Sequence, residues 1–370
     1  MIAATPLPSF GHLLALPYLS APAGKALAAP WLRDGDLNAL WLSRSSWSLV
    51  VLAETFRLAH GRAPVVAVPE YICNQSLWPL RQAGATLVFY PVRDDQLSPN
   101  FPACEALGRI DLFLLVHYFG WPNQAAEARV FCDSRGAWLI EDAAHVLAPI
   151  AGIGEHGDAV LYSPHKLLAA PDGAVLVARE GLRAVESHLS ASVRAIGCAH
   201  PKTTGWRMKR LLQRTPLGPL LARLRSSSQP DFDSDPATTA MARKAALSHA
   251  AAALISRADL ANIAEARTTN AQALLAAIEG RAAWEPVFRV GNDTPPYRLV
   301  MRCTARSEAT RLFDRLRGAR LPVESWPDLP PEVGDGMARH LRHTLLLLPC
   351  HQSLDPHVLA KAAKRALEAA

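Results

Sequence analysis

Three features that mark other classes of protein are missing from the sequence. Its six cysteines are scattered and form no C-x-x-C pair; they are residues 73, 104, 132, 198, 303 and 350. This spacing argues against a zinc or disulfide framework, so we expect no metal site and a reducing, cytoplasmic location. No run of 18 or more apolar residues predicts a transmembrane helix. The start of the chain lacks the basic and then apolar pattern of a signal peptide.

Acidic residues are missing from one long stretch. Residues 188–230 contain no Asp or Glu and hold eight Lys and Arg, with Trp206 and several leucines between them. We favour the common explanation, a solvated surface excursion. The functional explanations are a basic lid over an anionic substrate and, as a weaker one, a membrane-surface contact through residues 194–225.

Length and composition predict a two-domain globular protein. The chain has 370 residues, of which half are hydrophobic and 19% are charged, with a net charge of +6. That length exceeds one ordinary core. The mild positive charge fits a small anionic substrate and gives little reason to expect nucleic acid. The predicted organisation is an N-terminal arm at 1–36, a large α/β domain at 37–245, and a small α+β domain at 246–370 that is entered through a long helix.

Apolar runs and turn signals predict a mostly parallel sheet in the large domain. A buried strand at 64–69, a helix, and a second strand at 86–92 form a βαβ unit. Further strands are predicted at 111–118, 137–140, 158–162 and 173–178, with a helix at 123–135. A helical pattern at 237–280 precedes the small domain. In that domain we predict strands at 297–303, 321–325 and 344–349, and helices at 307–316 and 356–369.

Four polar side chains with complementary chemistry follow the ends of successive predicted strands. They are Asp142, His145, Ser163 and Lys166. Ligands in open α/β sheets bind at the carboxyl ends of strands. An amine that forms an imine with an aldehyde, an acid that keeps a pyridine nitrogen protonated, and a hydroxyl for a phosphate are what a pyridoxal phosphate site requires. The pattern therefore predicts pyridoxal 5'-phosphate as the cofactor.

The segment SRSSWS at 43–48 predicts a helix start that is rich in capping residues. Free N–H groups and the helix dipole make such an end a good phosphate seat. An ordinary N-cap is the more common explanation of this pattern when the segment is taken alone.

Five segments, in chain order, resemble the DegT/DnrJ/EryC1/StrS family of fold-type-I sugar aminotransferases. They read VPEYICNQSLWPLRQAGATLVFYPV, VHYFGWP, WLIEDAAH, GDAVLYSPHK and LLLLPCHQSL. The resemblance implies a fold-type-I transferase: a large pyridoxal-phosphate-binding domain with a seven-stranded, mostly parallel sheet flanked by helices, and a small C-terminal domain. It also implies a homodimer that moves an amino group from a donor such as glutamate to a keto sugar, in the family's nucleotide-linked form.

The same resemblance assigns roles to individual residues. Lys166 is the implied Schiff-base lysine, Asp142 the partner of the pyridine nitrogen, and His145 a neighbour of the phenolic oxygen. The remaining implied cofactor contacts are Ser163 and Ser48 at the phosphate, the amides of Trp47 and Leu49, Cys73 where the family has a stacking aromatic residue, and His165 near the phosphate. His117 ends a strand nearby, and we expect it to support the site from behind.

The chain departs from the family pattern in the lysine turn. Two residues separate Ser163 from Lys166, whereas the family usually has four. A similar short Ser-x-His-Lys turn occurs in cysteine desulfurases, so a pyridoxal phosphate lyase or desulfurase with Cys350 as the persulfide carrier is an alternative. A second alternative is a non-catalytic member that uses the basic segment for docking.

Overall fold

Seven strands form one large sheet in the computed structural model, which describes residues 2–197, 199–215, 232–236, 243–278, 284–291 and 293–368. Their spatial order is β1-β7-β6-β5-β4-β2-β3. Strands β2 to β6 are mutually parallel, whereas β7 is antiparallel to both β6 and β1. The strands are β1 (Asn38–Leu42), β2 (Val65–Pro69), β3 (Thr86–Tyr90), β4 (Leu112–Val116), β5 (Trp138–Ala143), β6 (Ala159–Tyr162) and β7 (Ala174–Ala178).

Both faces of this sheet are covered, which explains why its central strands read as continuous apolar runs. Leu161 and Leu176 pack into one hydrophobic cluster, and Val160 and Val175 pack into another on the opposite face. The helices in this part of the chain are α1 (Phe10–Ala15), α2 (Gly24–Ala28), α3 (Ser45–His60), α4 (Asn74–Gln82), α5 (Phe101–Cys104), α6 (Ala125–Arg135), α7 (Pro164–Leu167), α8 (Glu186–Ile196) and α9 (Thr204–Gln213).

A second, antiparallel sheet of four strands lies in the C-terminal part, in the order β10-β11-β9-β8. Its strands are β8 (Trp284–Pro286), β9 (Leu299–Cys303), β10 (Glu324–Ser325) and β11 (Leu345–Leu348). Its helices are α10 (His249–Ile255), α11 (Leu260–Ile278), α12 (Arg306–Gly318), α13 (Met337–Thr344) and α14 (Pro356–Glu368). One face of the sheet packs under α11, α12 and α14, and the other face joins the large core.

The predicted fold class is confirmed, and several local predictions need correction. Strands β1 and β8 and helix α13 were not predicted. The helical pattern at 237–280 is interrupted at residues 256–259, between α10 and α11. Strand β5 continues to Ala143, so Glu141 and Asp142 lie within the strand rather than after it. The predicted loop at 226–236 and part of the basic stretch fall largely outside the described residues.

Candidate active site

The topology brings several chain segments to one edge of the large sheet. The carboxyl ends of the neighbouring parallel strands β4, β5 and β6 meet there, and so does the end of β1. Because β7 is antiparallel to β6, its first residues lie at the same edge. His145, Ser163 and the start of helix α3 all follow strand ends at this edge. Lys166 lies on the single-turn helix α7, where its amide donates to the Ser163 carbonyl.

Lys166 and His145 are in direct contact. Lys166 Nζ lies 3.2 Å from His145 Nε2. The other ring nitrogen, His145 Nδ1, accepts a hydrogen bond from the Phe119 amide at 3.2 Å. A neutral imidazole that accepts at Nδ1 carries its hydrogen on Nε2, so the Nε2–H faces Lys166 and can donate to a nitrogen or oxygen with a lone pair, which a charged ammonium lacks. Burial, and then the charge of Lys166, lowers the pKa of His145 well below its ordinary value, which keeps the ring neutral.

The His145 ring is fixed by its aromatic neighbours. It stacks on Tyr297 with centroids 4.4 Å apart and an interplanar angle of 2°, and on Phe119 at 5.6 Å and 15°. Phe119 has a φ of 58° and Gly120 a φ of 101°. A Cβ added to Gly120 would lie 3.1 Å from the His145 carbonyl oxygen, so this tight turn requires glycine there. The turn therefore aims the Phe119 amide at His145.

Asp142 and Glu141 project to opposite faces of β5, as alternate residues of a strand do. Burial raises the pKa of the Asp142 carboxyl, and the charge of Lys166 and the Ala144 amide offset part of that effect. Asp142 Oδ1 accepts from the Ala144 amide at 2.9 Å. Of the two carboxyls, Asp142 is thus the one whose pKa the charge of Lys166 affects.

Glu141 forms a separate, fully buried network with His117. His117 Nδ1 accepts from the Asn123 amide at 3.0 Å, so its Nε2–H donates to Glu141 Oε2 at 2.9 Å. The amides of Gly154 and Gly157 also donate to this carboxylate, each at 2.6 Å. Burial acts to raise the pKa of Glu141, but these donors outweigh it and hold the pKa at about 2. His117 lies behind the site and touches it through its own amide, which donates to the Asp142 carbonyl.

Two buried hydroxyls follow strand ends at this edge of the sheet, Ser48 in the first turn of helix α3 and Ser163 directly after β6. Ser48 and Ser163 are both fully buried, and neither side-chain oxygen finds a hydrogen-bond partner among the described residues. Buried hydroxyls are normally satisfied, so each is suited to an acceptor or donor supplied by a ligand. Together with the N-terminus of a 16-residue helix, they fit a phosphate group.

The structure shows how two backbone amides at the helix start are used. Helix α3 begins at Ser45, and the Trp47 amide already donates to the Arg44 carbonyl at 3.1 Å. Leu49 is the fifth helical residue, where the N–H bonds to the carbonyl four residues earlier. A phosphate contact of the Trp47 and Leu49 amides would compete with these helix bonds, and it stays a prediction.

Arg44 and His165 lie beside this helix start. His165 Nδ1 lies 2.8 Å from the Gly173 carbonyl, and Arg44 Nη2 donates to the Pro171 carbonyl at 3.1 Å. Burial lowers the pKa of His165 well below its ordinary value, and the charge of Arg44 adds to that effect. Arg44 was not predicted, although it adjoins the serine-rich segment. It brings a partly buried cation to the proposed phosphate seat.

A cavity of about 540 Å³ opens onto Lys166 and His145. Cys73 lines it, and burial raises the pKa of this thiol to about 12, which leaves it uncharged. The opposite walls come from the C-terminal part of the chain and include Tyr297, Glu324 and Trp326. No sequence signal pointed to Tyr297 or Trp326, because neither lies in a motif that carries the chemistry. The cavity combines aromatic surface with a few polar groups, as small-molecule sites do.

Arg267 connects the lysine turn to the wall of this cavity. The side chain is fully buried on helix α11, and burial lowers the pKa of its guanidinium to about 10. It donates to the carbonyls of Leu167 at 3.0 Å, Pro296 at 3.1 Å and Tyr297 at 3.1 Å. One side chain thus fixes the residue after Lys166 and the residue that stacks on His145. This role was also missed.

Comparison with known proteins supports the resemblance seen in the sequence. The model of the DegT/DnrJ/EryC1/StrS aminotransferase family matches residues 59–279, more than half of the chain. The structure is similar to Helicobacter pylori PseC, an aminotransferase involved in the biosynthesis of pseudoaminic acid, with a TM-score of 0.71 and 12% identity over 99% of this chain and 98% of that one.

Two other solved structures show the same fold. The aminotransferase TlmJ from Streptoalloteichus hindustanus has a TM-score of 0.69 and 19% identity, over 100% of this chain and 99% of that one. DesI, solved in the presence of its TDP-sugar product, has a TM-score of 0.69 and 17% identity, over 99% and 92%. Among curated sequences, a serine hydroxymethyltransferase from Methanocella arvoryzae is 38% identical over 68 residues, which span 17% of this chain and 16% of that protein.

Proposed function

Because the chain belongs to the DegT/DnrJ/EryC1/StrS aminotransferase family, we propose that it is a pyridoxal 5'-phosphate aminotransferase with Lys166 as its Schiff-base lysine. The substrates proposed are an amino acid donor such as glutamate and a keto sugar in nucleotide-linked form. The contact of Lys166 Nζ with His145 Nε2, at the sheet edge that also holds Asp142, carries the proposal. The sugar is supported by the neighbours, since DesI was solved with a TDP-sugar product.

The residues at the edge fit the parts of this cofactor. Ser48, Ser163 and the start of helix α3 would hold its phosphate, and Asp142 would hold its pyridine nitrogen. Cys73 and the aromatic residues of the cavity would cover its ring. When bound, the cofactor supplies an electron sink for the carbon that loses or gains the amino group.

The chain's own side chains would manage the protons. Once a substrate amine displaces it from the cofactor, Lys166 Nζ would take the proton from the donor's Cα. In the second half of the reaction it would give a proton to the acceptor carbon that receives the amino group. His145 would direct its Nε2–H at an oxygen or nitrogen acceptor in the cavity. The Asp142 carboxylate would keep the pyridine nitrogen protonated. Each role uses a group that the fold already orients.

The alternative of a desulfurase loses support from the position of Cys350. This residue is fully buried, and its thiol donates to the Pro296 carbonyl at 3.4 Å. Burial also raises its pKa, so the thiol is not poised to act as a nucleophile. A non-catalytic member is disfavoured as well, because Lys166, Asp142 and Ser163 are all present at one sheet edge. We also propose that the enzyme is a cytoplasmic homodimer, with domains at 37–245 and 246–370.

A two-substrate assay tests this proposal. Purified protein loaded with pyridoxal phosphate is incubated with glutamate and a panel of nucleotide-linked keto sugars, and the amino sugar is detected by mass spectrometry. We expect transfer to at least one sugar by the original chain and by Lys361→Ala, a control at an exposed lysine, and none by Lys166→Ala. Equal activity of Lys166→Ala would refute the assignment of Lys166. Release of sulfide from cysteine without any transfer would favour the desulfurase.

A further inference from the structure

Exposed apolar side chains are concentrated on one part of the surface. Among the described residues, eight large apolar side chains are exposed, and five of them lie in or next to helices α1 and α9. These five, which we call the α1–α9 surface, are Phe10 (51% exposed), Leu14 (50%), Tyr18 (89%), Met208 (52%) and Leu212 (43%). Single exposed apolar residues are normal, whereas a group of this kind marks an interaction site.

The two helices are bound to each other, although they are almost 200 residues apart in the chain. Arg207 Nε donates to the Leu13 carbonyl at 2.8 Å. Arg214 Nε donates to the Pro8 carbonyl at 2.9 Å, and Arg214 Nη2 donates to the Leu7 carbonyl at 2.8 Å. These arginines use their donors within the protein and so hold the two helices together.

Each helix presents an apolar pair four residues apart. Phe10 and Leu14 form the pair on α1, and Met208 and Leu212 form the pair on α9. Residues at this spacing share one face of a helix. In α9 no residue is buried, and Trp206 is the member that packs toward the N-terminal arm. Met208 and Leu212 therefore face solvent on α9, beside the exposed Lys209, and nothing of the described chain covers them.

The charged residues of the two segments that build this surface have one sign. The sequence contains no Asp or Glu in residues 1–33 or 188–230, the two segments from which the surface is built. Lys202 and Lys209 are exposed there, and the Arg210 guanidinium lies 5.7 Å from the centre of the Trp206 ring. A second copy of the chain would bring cations against cations if it used the same surface. Charge complementarity points instead to an anionic partner.

We propose that the α1–α9 surface docks the protein onto an anionic phospholipid membrane. Apolar side chains flanked by Lys and Arg on a surface helix are the pattern of an interfacial contact, in which apolar groups enter the headgroup region and cations meet anionic lipids. The protein would lie on the membrane rather than cross it: no helix within the described ranges is both long and apolar enough to span one. The docking is independent of the reaction proposed above.

Vesicle sedimentation with the full chain tests the docking. We expect sedimentation with vesicles of phosphatidylcholine and phosphatidylserine at low salt, loss of sedimentation at high salt, and little with phosphatidylcholine alone. Met208→Asp/Leu212→Asp should reduce binding to the level seen with phosphatidylcholine. Lys209→Gln should weaken the partition by about fivefold, because each basic residue near the surface contributes about 1 kcal/mol. Val130→Asp, at a 71% exposed apolar residue elsewhere, is the matched control.

Three outcomes would overturn the proposal. The first is sedimentation that does not depend on phosphatidylserine. The second is equal binding by Met208→Asp/Leu212→Asp and Val130→Asp. The third is a halved solution mass for Met208→Asp/Leu212→Asp in light scattering without vesicles, which would assign the surface to a contact between copies. Circular dichroism of each variant checks that the fold is retained.

Discussion

The amine of Lys166 lies 3.2 Å from His145 Nε2, and the opposite nitrogen of the same ring is held by the Phe119 amide. The hydrogen bond from the Phe119 amide to Nδ1 determines the role of Nε2, because it leaves the ring hydrogen on the nitrogen that faces Lys166. A buried, neutral imidazole therefore offers a donor to whatever lies beside the lysine. A lysine nitrogen that has lost its proton can accept this hydrogen bond, and so can a ligand atom with a lone pair; a charged ammonium cannot.

Two replacements of His145 should separate the effect of its N–H donor from the effect of its aromatic ring. His145→Gln keeps an N–H donor, whereas His145→Phe keeps the stack between Phe119 and Tyr297 but loses the donor. We expect kcat to fall by about 100-fold in His145→Phe, the lower end of the range for a positioned proton donor, and by clearly less in His145→Gln. Steady-state kinetics with the preferred substrates measures this, with the exposed His357→Gln as the control. A larger loss in His145→Gln than in His145→Phe would show that the shape of the ring rather than its donor matters.

Glu141 should make stability dependent on acid pH. Its folded pKa of about 2 lies below the ordinary 4.5, so the unfolded chain binds the proton more readily. The contribution of the Glu141 carboxylate to the free energy of unfolding is fully present above pH 4.5 and is lost as the pH falls toward 2. The shift in pKa corresponds to a contribution on the order of 3 kcal/mol. Urea unfolding of the original chain and Glu141→Gln should show a difference that narrows over this window. A constant difference would mean that the carboxylate charge does not stabilise the fold.

Removal of either unpaired hydroxyl, that of Ser48 or that of Ser163, should weaken cofactor binding without lowering the stability of the protein that lacks cofactor. Ser48→Ala and Ser163→Ala remove hydrogen bonds to a charged phosphate, so each should raise the dissociation constant of pyridoxal phosphate by about tenfold. Without cofactor, the loss of an unsatisfied buried hydroxyl should leave the melting temperature unchanged or higher.

Thr55→Val is the matched control for the serines. Thr55 lies on the same helix, and its buried hydroxyl donates to the Val51 carbonyl at 2.7 Å. This variant should lower the melting temperature and leave cofactor affinity alone. Equilibrium dialysis and calorimetry give the two readouts. Unchanged affinity in Ser48→Ala would remove Ser48 from the phosphate seat.

Arg267 should act as a positioning residue. Arg267→Lys keeps the charge but cannot reach three carbonyls with a planar fork, so the lysine turn and Tyr297 should lose their alignment. We expect a loss of about 3 kcal/mol in unfolding free energy and a kcat that falls more than KM changes. Arg302→Lys, which alters an arginine that reaches the Asp94 carbonyl, is the control. A change in KM alone would indicate contact with substrate instead.

Sequence reasoning succeeded where a local pattern is tied to a local structure. The apolar runs predicted the mostly parallel sheet, and the strand ends indicated the edge where Lys166 and His145 meet. It failed where the position of a strand or side chain is determined by a residue that is distant in the chain. Strand β1 is short and lies at the sheet edge, where it pairs with β7. Tyr297 contacts His145 across 152 residues of the chain, and Arg267 contacts Leu167 across 100 residues, so no local spacing reveals either contact.

The proposed function depends above all on Lys166 as the residue that holds pyridoxal phosphate. Borohydride reduction of the cofactor-loaded protein, followed by peptide mass spectrometry, tests it most directly, because reduction fixes the cofactor wherever it is bound. We expect a phosphopyridoxyl group on the peptide that contains Lys166, and its absence in Lys166→Ala. A modified lysine elsewhere, or covalent cofactor retained in Lys166→Ala, would contradict it.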